Sequence, residues 1–324
     1  MENAPTSPPA VTSQPDRVLV VGAGGFIGSA LASRLSRTGT RISRLVRKPK
    51  GIPGELSWHD LAKPATIQSI DAVVYCASTT TPSTRPASAT RELDDNLRPL
   101  LQLIDRLHDH DGVRFVYLSS AGSLYGDEQL PIDESRAPSP PTFHGAGKVA
   151  AEAFLSPLRQ EGRHRISILR PANVYGPGQL PRPGFGLVAT LFQRILADEP
   201  VELFRRGEDR RDFLYVEDLA DAVVAALAGP PGTWNVGSGE SYQVREVVEA
   251  IEDICERKAT IHLRDDTPSP ARSIELSIDR IVGDLRWKPR TPLRAGLRHT
   301  RDWWLAGTAE LDTTSGSPEG LPHH

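Results

Sequence analysis

Cysteine is nearly absent: Cys76 and Cys255 are the two among 324 residues. Their number and wide separation exclude a disulfide framework and a cysteine-built metal site, and fit a reducing compartment. No apolar run approaches the ~20 residues that span a bilayer. The N-terminus has no basic segment followed by an apolar one, so no secretory signal is read and the expected location is cytoplasmic. An excess of one charge is missing too. With 38 basic and 41 acidic side chains the formal net charge is −3, which gives no general pull toward nucleic acid or an acidic membrane. His108 and His110 stand two apart, on different sides of a helix. They read as a polar helix end, and no metal site is expected.

What is present is alternation. Residues 1–15 are rich in Pro, Ser and Thr and are expected to be a disordered leader; 307–324 is expected to be a disordered tail. Between them, β-branched apolar runs predict strands over 18–21, 41–46, 71–77, 114–119 and 165–170. Helical spacing predicts helices over 26–37, about 87–108 and about 145–159. Strands alternating with helices imply βαβ units and a doubly wound parallel sheet. After Pro171 the alternation weakens and loops lengthen. The expected division is a sheet domain over 16–171 with a return segment near 212–230, and a smaller α/β substrate lobe over 172–211 and 231–306.

The first strand runs straight into Gly22-Ala23-Gly24-Gly25-Phe26-Ile27-Gly28, which opens a helix. Gly22 permits a tight turn, Gly25 lets backbone approach a pyrophosphate, and Gly28 lets helix and strand pack closely. A glycine turn alone is weak evidence. Its place between a strand and a helix makes it a dinucleotide site of Rossmann type. An acidic residue about 20 positions on would accept a ribose hydroxyl, whereas arginine favours a 2′-phosphate. Here Arg44 and Arg47 end the second strand, and no carboxylate occurs before Glu55. The cofactor read is NAD(P), leaning to NADP.

The turn's GxxGxxG spacing, together with the segments SSAGSLYG (119–126), HGAGK (144–148), LRPANVYGPG (169–178) and RRDFLYVED (210–218), resembles the extended short-chain dehydrogenase/reductase family. Its members are NAD(P)-dependent epimerases and dehydratases of nucleotide sugars, and the likeness is to the UDP-glucose 4-epimerase type. The resemblance implies that Asp60 and Leu61 contact adenine, that Ala77 and Ser78 flank pyrophosphate and ribose, and that Asn96 supports the active site. It also leaves room for a homodimer.

The family's catalytic residues are Tyr and Lys at YxxxK, with a Ser or Thr nearby. Four-residue spacing puts the pair on one helix face. This chain has His144 where the resemblance implies Tyr, and Lys148 where it implies Lys. Ala121 stands at the Ser/Thr position, and Ser123, two residues on, is expected to supply the hydroxyl if the strand continues. Histidine can act as acid or base, and Lys148 is expected to bias it toward the neutral form. Lys148 would also hold the cofactor ribose. Tyr125 and Tyr175 are expected to be wall residues.

For the substrate half, the resemblance makes Asn173 a sugar-nucleotide contact and Arg211 the grip on its diphosphate, with Arg272 a looser second. A guanidinium suits that role through bidentate bonds to phosphate. Three readings follow. The first is an epimerase that oxidises C4 of a nucleotide sugar and reduces it from the other face. The second is an NADPH-using 4-ketohexose reductase. The third is a catalytically silent nucleotide-sugar-binding protein.

Overall fold

Val18, Leu19, Val20 and Val21 are all at most 1% exposed, so the strand holding them must be covered on both faces. That strand, β1 (Arg17–Val21), lies inside a seven-stranded sheet. The computed structural model describes residues 14–314 except 85, 108–109, 126–129, 183 and 265–272, with backbone alone beyond 307. Of the expected leader only 14–15 are described; of the expected disordered tail, 307–314 instead continue the last helix, and 315–324 lie outside the described residues.

After β1 come α1 (Phe26–Ser36), β2 (Arg41–Leu45), β3 (Glu55–Leu56), α2 (Pro64–Gln68) and β4 (Ala72–Tyr75). A helical stretch follows in three pieces: α3 (Ala89–Glu92), a π segment (Leu93–Leu97) and α4 (Arg98–Leu107). Then come β5 (Arg114–Leu118), the single turn α5 (Ala121–Leu124), α6 (Phe143–Glu161) and β6 (Arg165–Pro171). The second half holds β7 (Asn173–Tyr175), α7 (Leu187–Leu196), β8 (Val201–Phe204), β9 (Arg210–Tyr215), α8 (Val216–Ala228) and β10 (Gly232–Val236). It ends with β11 (Ser241–Gln243), α9 (Val244–Cys255), β12 (Ile261–Arg264), α10 (Asp279–Leu285) and α11 (Leu293–Thr314).

The large sheet has the order β10-β6-β5-β4-β1-β2-β3 and is parallel throughout. The chain builds from β1 outward to β3, then restarts on the other side with β4. This reversal leaves a crevice past the carboxyl ends of β1 and β4, the place where such sheets bind ligands. Alternate residues of each strand feed two cores. Val18, Val20, Val74 and Leu118 pack with Leu31 and Leu35 of α1 and Val223 of α8. Leu19, Val21, Val73 and Tyr117 pack with Leu100 and Leu103 of α4 and Leu155 of α6. Period-two burial on both faces is why these strands read as unbroken apolar runs.

One boundary differs from expectation. α8 crosses back over the sheet and β10 pairs with β6, so the return segment reaches Val236 instead of stopping near 230. The sequence over 229–232, GPPG, disguised a strand whose buried Trp234 and Val236 complete the first core. The rest of the second half forms the three-stranded sheet β11-β9-β7 and the pair β12-β8 around a third core of Phe192, Ile195, Phe213 and Ile251. No helix among the described residues is long and apolar enough to cross a membrane.

A buried polar joint fixes α6 to this frame. Arg170 Nη2 on β6 donates to Glu152 Oε2 on α6 at 2.6 Å, and Ser119 Oγ donates to Glu152 Oε1 at 2.6 Å. Arg170 Nη1 donates to the Tyr125 hydroxyl at 2.8 Å, which donates to Asn235 Oδ1 at 3.0 Å. The Arg170 and Glu152 side chains are 9% and 11% exposed. Removing one member of a buried pair strands the other charge. Arg170→Ala should therefore lose about 3–5 kcal/mol of stability, read as a lower urea midpoint. An unchanged midpoint would show that the joint does not hold α6.

Candidate active site

The glycine turn is held by its own backbone. Gly22 N donates to Leu45 O and Gly25 N donates to Gly22 O, both at 3.0 Å. Gly22 has φ +90°, and a Cβ there would lie 2.8 Å from Ala77 Cα. A Cβ on Gly28 would lie 2.1 Å from Gly22 O. Both glycines are demanded by packing. Gly25 is different: a Cβ there would meet nothing nearer than Gly22 O at 3.4 Å, an ordinary contact. It caps α1 with φ −90° and no side-chain hydrogen bond to the helix amides. The protein's own packing thus leaves the α1 N-terminus open, with donors suited to an anion. This open cradle fits the pyrophosphate of NAD(P). Phe26 and Ile27 form the first turn of α1, and Ile27 packs on the first core.

Arg44 and Arg47 lie at the end of β2, beside the turn because Leu45 O receives Gly22 N. Arg44 is half-buried and Arg47 exposed. Asp60 Oδ2 accepts from Ser57 N at 2.9 Å and Ser57 Oγ at 2.8 Å, and Lys63 Nζ lies 3.1 Å from Oδ1. These donors hold the carboxyl well below the usual range. Asp60 thereby shapes its own turn, while Leu61 is buried. Ala77 abuts Gly22, and Ser78 Oγ donates to Thr80 O at 3.0 Å.

His144 and Lys148 stand one turn apart near the start of α6, 9% and 7% exposed. Thr142 caps that helix by accepting from Gly145 N at 3.1 Å. Lys148 Nζ donates to Leu118 O at 2.9 Å and lies over the Tyr117 ring, 4.9 Å from its centroid. Burial, and secondarily the Lys148 charge, push the imidazole down to about 3. Lys148 was the expected cause; desolvation is the larger one. Burial also pulls Lys148 down to about 8, against Glu92, Cys76 and Glu152, which favour its charge.

Two expected residues stand differently. Ser123 lies on a helical turn, not on a continued strand, so period two does not apply to it. Its hydroxyl lies 3.0 Å from Ser120 Oγ, and its carbonyl fills the space of a Gly145 Cβ, 2.1 Å away. Ser123 is thus beside the start of α6, but in a different orientation from the one predicted. Asn96 is more central than expected. Its Oδ1 accepts from Thr79 N at 2.8 Å, and its Nδ2 donates to Thr80 Oγ1 at 2.8 Å and Glu92 Oε1 at 3.0 Å.

Sequence reasoning missed Thr80 and Glu92. Both are buried, at 7% and 6% exposure. Thr80 Oγ1 donates to Glu92 Oε2 at 2.5 Å and lies 3.0 Å from His144 Nδ1; Glu92 Oε1 lies 4.0 Å from the same nitrogen. A Cβ on Gly147 would sit 2.5 Å from Glu92 Oε1. That was the available signal. Gly145 and Gly147 inside a helix each cost about 1 kcal/mol relative to Ala, so something had to need the space. A cavity of about 560 Å³ opens beside this group, lined among others by Thr80, Arg91, Glu92, Pro140 and His144.

The expected substrate residues lie elsewhere in the fold. Asn173 on β7 faces Phe213 of β9 in register, and its Nδ2 donates to Asp212 O at 3.0 Å. Arg211 on β9 pairs with Tyr242 of β11, and burial lowers its pKa. Arg272 lies outside the described residues. The loop after β7 ties this half to the crevice: a Cβ on Gly178 would lie 3.9 Å from Phe26, and one on Gly184 2.5 Å from Ser83. Among the described residues, no group of three or more His, Cys, Asp and Glu could hold a metal ion.

Known proteins resemble this chain in sequence and fold. A reductase of dTDP-4-dehydro-6-deoxyglucose from Escherichia coli is 27% identical, covering 86% of this chain and 95% of its own. The UDP-glucose 4-epimerase of Mycolicibacterium smegmatis is 30% identical, covering 89% and 98%. Among solved structures, the Thermus thermophilus UDP-glucose 4-epimerase in complex with NAD superposes with a TM-score of 0.80 at 28% identity, covering 89% of this chain and 99% of that one. The family described as NAD dependent epimerase/dehydratase matches residues 18–237, and the chain belongs to it.

Proposed function

We propose that the protein is an NAD(P)-dependent 4-epimerase of a nucleotide sugar, with His144 as its acid/base. The observation that carries this reading is the buried His144–Lys148 pair on one face of α6, with His144 lining the cavity and Lys148 near Ala77 at the switch point. The turn over 22–28 would hold the pyrophosphate, with Ala77 and Ser78 beside it, Asp60 and Leu61 toward the adenine, and Lys148 on the ribose. A bound nicotinamide would supply reversible hydride acceptance at C4 of the sugar. His144 takes the C4 hydroxyl proton and gives it back. Lys148, held by Leu118 O, keeps positive charge where an alkoxide would develop. Asn173 and Arg211 would meet the sugar nucleotide, Arg211 at the diphosphate. Ser123 would lend a hydroxyl near the reacting carbon.

A second reading is favoured by one feature. The β2 end offers Arg44 and Arg47 and no carboxylate, which suits NADP and therefore a net reductase of a 4-keto sugar nucleotide. The reductase relative agrees with it.

Two experiments test these readings. His144→Ala should lose about 10²–10⁴-fold in kcat for C4 epimerisation of UDP-glucose while keeping its thermal unfolding profile. A wild-type rate in that variant would remove His144 from the chemistry, and inactivity of the wild type over a nucleotide-sugar panel would favour a silent binder. Separately, Arg47→Ala should weaken NADP at least about tenfold and spare NAD, by calorimetry. Equal losses for both cofactors would contradict a 2′-phosphate contact.

A further inference from the structure

The hydrogen bonds around Thr80 can be satisfied in one order when Glu92 is ionised. The amide of Asn96 is fixed because a backbone N–H, that of Thr79, can only donate to its Oδ1. Asn96 Nδ2 therefore donates, both to Thr80 Oγ1 and to Glu92 Oε1. A threonine hydroxyl has one proton and two acceptor sites. At 2.5 Å, its proton goes to the Glu92 carboxylate, which can only accept. Thr80 Oγ1 is then left as an acceptor toward His144 Nδ1, 3.0 Å away. So His144 must carry its proton on Nδ1, and Nε2 presents a bare lone pair.

From this order we infer that Glu92 and Thr80 form a proton relay behind His144, with Glu92 the terminal acceptor. The inference rests on the acid/base reading of His144. The step balances without a charged imidazole. The sugar C4 hydroxyl proton bonds to Nε2, the Nδ1 proton passes to Thr80 Oγ1, and the Thr80 proton passes to Glu92 Oε2. The hydride acceptor at C4 would be the nicotinamide that the proposed function requires. The imidazole ends neutral, with its proton moved from Nδ1 to Nε2, and reduction runs the same path backwards. A relay of this kind lets a buried histidine move protons where an imidazolium is strongly disfavoured. Gly147 belongs to the same design, since any larger residue there would displace the carboxylate. Glu92 and Thr80 are positioning residues: they act on substrate through His144.

Histidine-selective ¹⁵N NMR of the full-length chain reads the tautomer directly, with His144 assigned by its loss in His144→Gln. The wild type should show His144 neutral with the proton on Nδ1. In Glu92→Gln the amide oxygen stays on the Asn96 donor and the amide NH₂ faces Thr80. Thr80 must then donate to Nδ1, and His144 should switch to the Nε2–H form. Its kcat should fall about 10²–10⁴-fold with little change in KM, because Nε2 can no longer accept a proton. If that variant does not fold, Thr80→Val removes the acceptor, and the Nδ1–H form should cease to dominate. An Nε2–H wild type, or Nδ1–H retained in both variants, overturns the relay and leaves the candidacy of His144 untouched. An Nδ1–H wild type with a wild-type rate in His144→Ala overturns the catalytic reading and the relay's use, and leaves the hydrogen-bond order standing.

Discussion

Close backbone approach at the switch point is the constraint on which the rest depends. The carbonyl of Gly22 occupies the place of a Gly28 Cβ, and Ala77 at the end of β4 occupies that of a Gly22 Cβ. Three pieces of main chain, from β1, α1 and the loop after β4, therefore meet without side chains between them. That contact brings the open α1 N-terminus and the 77–84 loop together, and the loop carries Thr80 toward α6. A side chain at Gly22 would push the loop outward and pull Thr80 off the His144 ring, and one at Gly28 would push α1 off the turn. The glycine turn and the group around His144 are thus one mechanical unit.

The second constraint is the burial of charge. Glu92, Lys148 and Glu152 all lie at or near the inner face of α6, and each is met by fixed partners. Glu152 receives Arg170 and Ser119, Glu92 receives Thr80 and Asn96, and Lys148 donates to a strand carbonyl. Such groups are tolerable only with their hydrogen bonds complete. The bonds of Thr80 to Glu92 and Asn96 are what make the His144 tautomer a property of the fold. The π segment between α3 and α4 lies between Glu92 and the body of that helix and includes Asn96, and such bulges gather at functional sites.

Much of this was legible in the sequence, and the exceptions have physical causes. Strands buried on both faces announce themselves as β-branched runs, so β1, β4, β5 and β6 were read directly. The glycine turn was legible because glycine is the residue that close approach requires. β10 escaped because its apolar residues follow a Pro-Gly cluster that reads as a loop. Ser123 was misplaced because one turn of helix, rather than strand, follows Ser120. Thr80 and Glu92 were invisible because they come from two separate segments and meet His144 only through tertiary packing. Only the glycines of HGAGK hinted that something large sat against the helix.

The central claim is that His144 works as a neutral, buried imidazole. The most direct measurement is kcat/KM for C4 epimerisation against pH, since it reports the free enzyme's groups. The titratable groups facing the pair are Glu92, Glu152, Cys76 and Tyr117, and burial holds His144 at about 3 and Lys148 at about 8. His144 is thus unprotonated at neutral pH, and Lys148 loses its charge as pH rises through its lowered value. The account predicts a rate that is level from about pH 5.5 to about pH 7.5, where an ordinary histidine would titrate, and that falls above about pH 8. A tenfold loss on acidification centred near about pH 6.5 would contradict it, because that is the signature of a solvated imidazole.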